Sequence, residues 1–315
     1  FGDTRIYHRK AKALCKASQP EIGFWVFEEG YFRPHYITFE KDGVNDYSPE
    51  PRDANFYLQA AQNLPIPQVP RAVASGFWPM AWLAGRYYLY MYFNKKNYKN
   101  YRHHRSDNIF WYAKAWLHSG WIKISKRAAE KKLIEKIEQG QLGAFFIVPL
   151  QVHNDSQIKV HSPFKSVASF IRVVVKSFAL YAPKDTILVI KHHPMDRGFI
   201  DYSALLRKLI RRYRLESRIY YVFDIPLPVL MRKAKGMVVV NSTSALSAMI
   251  HKLPVKVLGK ANYKIDGLIN RMQLSEFWNQ ASVSNMSVFN AYRIYNLEKI
   301  QLNMTFYSSC GKYLF

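Results

Sequence analysis

The chain has 315 residues, of which 49% are hydrophobic and 22% charged, so it has room for two ordinary domains and its composition excludes wholesale disorder. Its formal net charge of +24 indicates an acidic partner: a nucleic acid, an anionic membrane surface or a phosphorylated substrate. Its two cysteines form neither a disulfide framework nor a zinc pattern, and no run of 18 apolar residues predicts a membrane-spanning helix.

The opening residues predict the end of a strand and then a helix that runs to about Ser18. Asp3 or Thr4 is the expected N-cap. His8 lies about one helical turn after Asp3 and Arg5, so these three side chains are candidates for one cleft. The alternative is a capping aspartate beside a solvated histidine. Because the sequence begins without Met, we expect an N-terminal segment of the protein to be absent here.

The apolar run 24–27 predicts a strand buried on both faces, and two acids follow it directly. Glu28 and Glu29 are costly at the end of a buried strand unless they are solvated or used. Gly30 allows a tight turn, and Arg33 is close enough in sequence to act as a counter-ion. Ligands collect at strand ends in open α/β sheets, so the acid pair is a candidate site. The alternative is an ordinary strand exit with surface acids.

After a predicted helix at about 53–63, the stretch 77–135 is rich in tryptophan, tyrosine, lysine and arginine. Tryptophan and tyrosine favour the membrane interface, and lysine and arginine favour anionic lipid. Aromatic residues interleaved with basic ones also bind single-stranded nucleic acid. Three interpretations stay open: interfacial membrane contact, two amphipathic helices that bury their aromatic residues, and nucleic-acid binding. The basic part includes Arg102, His103, His104 and Arg105.

From residue 144 onward, predicted strands and helices alternate, which indicates a parallel sheet covered on both faces. Ser162 is the expected cap of the first of these helices. The strands are expected at 145–150, 186–190, 219–223, 236–240 and 255–258, and the helices at 162–180, 199–213, 226–234 and 244–252.

Polar clusters follow three of these strands and would lie along one edge of the sheet. A helix N-terminus with hydroxyl groups binds phosphate, and a nearby lysine adds positive charge. The alternatives are a simple helix cap and a solvated histidine. There is no dinucleotide fingerprint, no P-loop and no metal triad. The candidate residues are Gln151, Asp155, Lys191, His193, Pro194, Asn241, Ser242, Thr243 and Ser244.

Three short motifs resemble those of bacterial GT-B glycosyltransferases that use CMP-sugars: Glu28-Glu29-Gly30, His193-Pro194 and Ser242-Thr243. Longer stretches resemble KpsS-type capsule polysaccharide biosynthesis proteins, which are β-Kdo transferases. The resemblance extends over nearly the whole chain, at 1–8, 27–34, 37–40, 43–45, 148–157, 191–194 and 240–244.

This resemblance implies an α/β, GT-B-like fold with two Rossmann-type domains facing a central cleft, the N-terminal one being incomplete in this chain. The expected acceptor-side domain is 1–142, including the basic and aromatic region. The expected CMP-sugar-binding domain is 143–285, and 286–315 is expected to form a helical or irregular tail.

The resemblance also implies a retaining transfer of β-Kdo from CMP-β-Kdo to a phosphatidylglycerol-type lipid, which begins the linker of a capsular polysaccharide. Asp155 ends a Gln-x-x-x-Asp motif that starts at Gln151, and it would be the nucleophile. Glu28, with Glu29 held second, would be the acid/base. His193, Ser242 and Thr243 would bind the CMP phosphate, and Lys191 would add charge.

No metal or other cofactor is expected, because fixed donors suffice for one phosphate. The expected partners are CMP-Kdo, an anionic phospholipid acceptor, the inner face of the cytoplasmic membrane and other capsule biosynthesis and export proteins. Nucleic acid is not expected. The rival functions are transfer of another CMP-sugar such as sialic acid, a non-catalytic capsule-assembly role, and nucleic-acid binding by a basic scaffold.

Overall fold

The computed structural model describes residues 2–73, 76–101 and 108–307. Phe1 and the predicted basic cluster of Arg102, His103, His104 and Arg105 lie outside these residues. The described chain contains a five-stranded parallel sheet and a three-stranded antiparallel sheet.

The first part of the chain contains α1 (Ile6–Ala17), β1 (Trp25–Glu29), β2 (Ile37–Lys41), α2 (Ala54–Gln62), α3 (Phe77–Asn94) and α4 (Ile109–Glu138). The second part contains β3 (Phe145–Pro149), α5 (Ser156–His161), α6 (Val167–Tyr181), β4 (Ile187–Lys191), α7 (Ser203–Tyr213), β5 (Ile219–Val222), α8 (Leu227–Met231), β6 (Gly236–Val239), α9 (Ser244–Ile250), β7 (Val255–Val257), α10 (Leu274–Gln280), α11 (Met286–Lys299) and β8 (Gln301–Leu302). Short 3-10 helices lie at Asn45–Tyr47, Lys95–Tyr98 and Pro194–Asp196.

The parallel sheet has the strand order β5-β4-β3-β6-β7 and is the centre of the fold. Every residue of β3 and β6 is buried, and two apolar clusters cover the two faces of the sheet. The strand order reverses between β3 and β6, which makes this the switch point where open α/β sheets bind ligands. The predicted α/β class is confirmed, and this sheet is the Rossmann-type part of the predicted GT-B-like architecture.

The three-stranded sheet has the order β1-β2-β8, so β1 is an edge strand. Val26 is buried, but Trp25 is 54% exposed and Phe27 is 39% exposed. The prediction that this strand is buried on both faces is therefore wrong. The rings of Trp25 and Phe27 instead stack on the ring of Phe39 of β2, with centroids 4.9 and 4.5 Å apart. These cross-strand contacts partly shield the three rings from solvent on the outer face of the sheet.

The helix α1 ends at Ala17, next to the predicted end at about Ser18, but the predicted N-cap at Asp3 or Thr4 is wrong, because Arg5 occupies that position. The Asp3 carboxylate is buried and accepts a hydrogen bond from the Val44 backbone N–H at 3.1 Å. Asp3 therefore fixes the loop after β2 rather than the start of a helix.

The predicted cap of α6 is also wrong. Ser162 follows the short helix α5, and its hydroxyl donates to the Ile158 carbonyl. The cap of α6 is Ser166, which exchanges hydrogen bonds with Ser169. A five-residue segment between the two helices thus replaces the first turn expected from sequence.

The last described elements pack against the N-terminal sheet. Helix α11 lies on α2, where the Tyr57 ring meets the rings of Tyr292 and Tyr295 at 5.0 and 5.3 Å. Strand β8 pairs with β2, and the Gln301 side chain accepts from the Tyr31 backbone N–H at 2.8 Å. The segment expected to form a tail thus holds the hairpin that carries the two acids.

Gly30 follows the acid pair at a point where two backbone segments touch. A Cβ at this position would lie 2.1 Å from the Tyr36 carbonyl oxygen. We expect Gly30→Ala to destabilise the protein by about 3 kcal/mol, because backbone must move to admit the methyl group. Thermal unfolding measures this. Gly85→Ala is the control, since a Cβ there meets no described atom within 4 Å, and equal melting temperatures for the two variants would contradict the prediction.

Candidate active site

A cavity of about 410 Å³ opens at the carboxyl edge of the parallel sheet, beside the switch point. The loops after β3, β4 and β5 and the start of α9 form its walls, and two side chains from the N-terminal hairpin close it. The lining residues are Tyr31, Arg33, Pro149, Leu150, Lys191, His192, His193, Pro194, Asp224, Ile225, Pro226, Leu227, Ser242, Thr243, Ser244 and Ser247. Seven of them were singled out from sequence: Arg33, Lys191, His193, Pro194, Ser242, Thr243 and Ser244.

His193 presents one defined face to the cavity. Its Nδ1 accepts a hydrogen bond from the Met195 backbone N–H at 3.2 Å. Burial, with the charges of His192, Lys191 and Arg33, lowers the pKa of His193 to about 4. The ring is therefore neutral near pH 7 and carries its proton on Nε2. That N–H is a fixed donor for an anionic oxygen.

The serine-rich segment before α9 is organised by its own hydrogen bonds. The Ser244 hydroxyl donates to the Ser242 hydroxyl at 2.9 Å, and the Ser244 backbone N–H donates to it at 3.2 Å. Tyr263 donates to the Ser242 carbonyl at 2.6 Å. The hydroxyl groups of this segment are thereby held at the cavity wall, where they can donate to an anionic oxygen. The backbone N–H groups of the first helical turn are already engaged, because Ala245 donates to the Ser242 carbonyl at 3.1 Å and Leu246 to the Thr243 carbonyl at 3.0 Å.

Gln151 and Asn241 do not line the cavity but brace its edge. The Gln151 amide nitrogen donates to Asn241 Oδ1 at 3.0 Å and to Asp155 Oδ2 at 3.2 Å. The Asn241 amide nitrogen donates to the Gln157 carbonyl at 3.0 Å. These bonds join the ends of β3 and β6 across the switch point. They also set the position of the Asp155 side chain.

Asp155 is the N-cap of α5 and accepts from the Gln157 backbone N–H at 2.9 Å. Burial raises the pKa of Asp155, while its hydrogen bonds and the charges of Arg33 and His161 lower it. Asp155 is thus a partly desolvated carboxylate. Neither Asp155 nor Glu28 lines the cavity, but Arg33, which does, lowers the pKa of both. Desolvation makes a carboxylate a stronger nucleophile.

Glu28 and Glu29 lie on opposite faces of β1, because neighbouring strand residues alternate. Glu28 shares the face of the buried Val26. Burial, helped by the Glu29 and Asp155 carboxylates, raises the pKa of Glu28 to about 7, although the hydrogen bond from the Glu29 backbone N–H and the charge of Arg33 lower it. Glu29 instead accepts from the Tyr307 hydroxyl at 3.2 Å. Only Glu28 combines a pKa near neutrality with an interaction with Asp155.

The opening segment runs beside β1 rather than into the cavity. The Gly2 backbone N–H donates to the Phe27 carbonyl at 2.8 Å. Asp3 is engaged by the loop after β2, and Arg5 is exposed at the start of α1. Burial lowers the pKa of His8. The structure therefore leaves Asp3, Arg5 and His8 off the cavity wall.

Several residues at this edge were missed by sequence reasoning. His153 Nδ1 lies 2.5 Å from the fully buried Asp196 carboxylate, which ties the loop after β3 to the His193-Pro194 loop. Asp224 and the apolar run 225–227 follow β5 and form another wall of the cavity. Because these residues follow a predicted strand of the same sheet, their position could have marked them as candidates. They match no sequence motif.

Within the described ranges 2–73, 76–101 and 108–307, no group of three or more His, Cys, Asp or Glu side chains is placed to hold a metal ion. The positive charge at the cavity comes from Arg33 and Lys191.

The aromatic helix pair, defined as α3 and residues 109–127 of α4, forms a second notable surface. Tyr88 and Tyr112 join the two helices with ring centroids 4.9 Å apart, and Trp111 packs on Phe199 at 5.2 Å. Many large side chains of the pair are exposed, as are Lys114, Lys123 and Lys126 on α4, so the internal-burial interpretation is wrong for the residues named next. Seven of these side chains are 67–82% exposed: Trp78, Trp82, Phe93, Phe110, Leu117, Trp121 and Ile124. Among the described helices, none is long and apolar enough to cross a bilayer.

Comparison with known proteins identifies the family. Residues 1–307 match the family described as capsule polysaccharide biosynthesis protein. The chain belongs to this family. It is 48% identical over 311 residues to the capsule polysaccharide modification protein LipB of Neisseria meningitidis serogroup B, covering 98% of this chain and 74% of LipB. It is 40% identical over 314 residues to the capsule polysaccharide export protein KpsS of Escherichia coli, covering 98% of this chain and 78% of KpsS.

Among solved structures, this capsule polysaccharide biosynthesis protein is similar to Thermosulfurimonas dismutans KpsC, a β-Kdo 2,7 transferase. The two are 15% identical with a TM-score of 0.44, over 87% of this chain and 70% of that chain.

Proposed function

We propose that this capsule polysaccharide biosynthesis protein is a retaining glycosyltransferase that transfers β-Kdo from CMP-β-Kdo to a phosphatidylglycerol-type lipid. One observation carries the proposal: the cavity at the switch point combines Lys191, His193 and the 242–244 segment with Arg33 from the facing hairpin. Fixed donors on one side and a cation on the other suit a sugar nucleotide with a single phosphate.

In this proposal the donor phosphate lies against the His193 Nε2–H, the Lys191 ammonium and the hydroxyl groups of 242–244. These groups stabilise the negative charge on CMP as it leaves, so neither protonation of the leaving group nor a metal is required. The apolar residues 225–227 provide a wall against which a nucleobase can pack.

Retention follows from two displacements. In the first, an Asp155 carboxylate oxygen bonds to the anomeric carbon of Kdo, and the bond from that carbon to the phosphate oxygen breaks with its electron pair leaving on CMP. In the second, Glu28 accepts the proton of the acceptor hydroxyl, whose oxygen bonds to the same carbon and displaces Asp155. The raised pKa of Glu28, about 7, supports this role.

The acceptor lipid places the reaction at the inner face of the cytoplasmic membrane. The aromatic helix pair supports this location, because exposed tryptophan side chains and lysines suit the interface of an anionic bilayer. The chain would then work beside other capsule biosynthesis and export proteins.

We expect the double variant Trp82→Ala, Trp121→Ala to bind phosphatidylglycerol vesicles roughly tenfold or more weakly, because two large side chains no longer enter the interface. Vesicle co-sedimentation at low and high salt measures this. The matched control is Ile66→Ala, Val69→Ala, which removes apolar groups that are 87% and 93% exposed elsewhere. Equal vesicle binding by the two double variants would contradict the membrane assignment.

The test of the proposed function is a transfer assay with CMP-Kdo generated in situ and a fluorescent phosphatidylglycerol analogue. The expected product is the lipid with the mass of one Kdo added. CMP-sialic acid is run in parallel, because the short motifs also fit that donor. If product forms only with CMP-sialic acid, the donor is CMP-sialic acid and not CMP-Kdo. If neither donor gives product, the proposal is overturned.

A further inference from the structure

The long helix α4 reaches the cavity wall through one buried carboxylate. Glu130 is 8% exposed, and its two oxygens accept from the backbone N–H groups of Phe223 and Asp224 at 2.5 and 2.8 Å. These two residues directly follow β5, and Asp224 lines the cavity. A carboxylate that accepts two backbone N–H groups forms charge-assisted bonds, which are stronger than neutral ones. Glu130 therefore fixes this turn relative to α4.

The same turn holds the lysine of the cavity. Lys191 is the last residue of β4, and its ammonium donates to the Phe223 carbonyl at 3.2 Å. Phe223 thus bonds to Glu130 through its N–H and to Lys191 through its C=O. Because both bonds depend on the backbone of one residue, a displacement of Phe223 also displaces the Lys191 ammonium.

The charges around Lys191 come from three elements. The pKa of Lys191 is lowered to about 8, mainly by burial and in part by Arg197. The carboxylates of Glu130 and, to a smaller extent, Asp224 act in the opposite direction and raise it. Asp224 is already engaged by Arg197, 2.6 Å away, and faces Lys123 at 3.7 Å. The carboxylate of Glu130 therefore has the larger part in keeping Lys191 protonated.

We propose that Glu130 is a positioning residue of the donor site: it holds the turn at Phe223 and Asp224, and through the Phe223 carbonyl it directs the Lys191 ammonium toward the anion in the cavity. This inference rests on the proposed function only for the identity of that anion, a nucleotide phosphate. Glu130 does not line the cavity and matches none of the sequence motifs.

The first test follows the titration of Lys191 by NMR of protein with ¹³C-labelled lysine, the signal being assigned with Lys191→Arg. Glu130→Gln is expected to lower the Lys191 pKa by about one pH unit, because an opposite charge is lost. Glu135→Gln, an exposed glutamate of the same helix, is the matched control and is expected to leave it unchanged. An unchanged titration in Glu130→Gln, or an equal shift in both variants, would overturn the inference.

The second test measures CMP binding by calorimetry between about pH 6.5 and 8.5. The CMP affinity of the wild type is expected to fall as Lys191 loses its proton near pH 8. In Glu130→Gln the same fall in affinity is expected at a pH about one unit lower. If CMP binds only the protonated form of Lys191, the variant binds about threefold more weakly than wild type near pH 7.5 and about eightfold more weakly near pH 8.5. A loss of the same size at every pH would indicate a purely structural role and would overturn the inference.

Glu130→Asp keeps the charge but shortens the side chain, so it tests the geometry even where Glu130→Gln fails to fold. It is expected to preserve the Lys191 titration and to weaken CMP binding severalfold at every pH. Wild-type CMP affinity in Glu130→Asp would overturn the positioning role. If Lys191 responds to Glu130 as expected but wild type does not bind CMP, the positioning stands and the proposed donor is wrong.

Discussion

Asp155→Asn is expected to lower the rate of Kdo transfer by about 1,000-fold or more, because an amide does not form the glycosyl-enzyme bond. The fold is expected to persist. Asparagine is a good N-cap and retains an oxygen for the Gln157 N–H of α5. Product formation with CMP-Kdo gives the rate, and mass spectrometry of the protein shows whether a Kdo adduct forms on wild type and is absent from the variant.

The chain offers a matched control for this substitution. Asp53 caps α2 in the same way, accepting from the Asn55 N–H at 3.0 Å, but it is exposed, whereas Asp155 is half-buried and bonded to Gln151. Asp53→Asn is expected to transfer Kdo at the wild-type rate. Full activity in Asp155→Asn, or an adduct on another residue, would remove Asp155 from the nucleophile role.

Glu28→Gln is expected to lower transfer by about 100- to 10,000-fold, the usual contribution of a general base. Glu28 must be unprotonated to accept the acceptor proton, and burial raises its pKa to about 7. Wild-type activity is therefore expected to rise with pH through about 7, and this rise is expected to vanish in the variant. The pH dependence of kcat/KM for the lipid acceptor measures both effects.

Stability is expected to change in the opposite direction. The pKa of Glu28 is about 7 in the folded protein against 4.5 for an unperturbed glutamate, so the folded state binds this proton more tightly. The free energy of unfolding contributed by Glu28 thus falls as pH rises from about 4.5 to about 7. Glu28→Gln removes that loss, and the variant is expected to be at least as stable as wild type near pH 8.

Glu29→Gln separates the two acids. Its carboxylate lies on the other face of β1 and accepts from Tyr307, so we expect a smaller loss of activity. The rise of activity with pH is expected to persist and to move to slightly lower pH, because the Glu29 charge that raises the pKa of Glu28 is lost. A pH profile that changes in Glu29→Gln and not in Glu28→Gln would exchange their roles.

The parallel sheet could be predicted because each of its strands is a short apolar run between helical segments, so pattern and position agree. The cluster at its edge could be predicted for the same reason, since strand ends in a parallel sheet meet. The exposure of the N-terminal hairpin could not be predicted in this way. Its outer aromatic residues look like a buried run in sequence, whereas Trp25 and Phe27 cover Phe39 on an exposed face.

Side-chain roles were less predictable than side-chain positions. Sequence position marked Gln151 and Asn241 as candidate site residues but did not reveal that they bond to each other across the switch point. Glu28 and Glu29 were nearly equivalent in sequence, and the strand pleat separates them. Glu130 could not be identified from the sequence, because its proposed role depends on its contact with Phe223, 93 positions further along the chain.

Strand β8 has a consequence for the order in which the protein becomes functional during synthesis. The hairpin that carries Glu28 and Arg33 is made early, yet Gln301 bonds to Tyr31 and Thr38, and β8 completes the sheet. Domains generally fold as they leave the ribosome, from the N-terminus onward. The parallel sheet can therefore form while the hairpin still lacks its third strand. Tyr31 and Arg33, the hairpin side chains that line the cavity, therefore gain this support only after residues 301–302 have emerged. A nascent chain can hold the finished edge of the parallel sheet while the hairpin wall of the cavity is still incomplete.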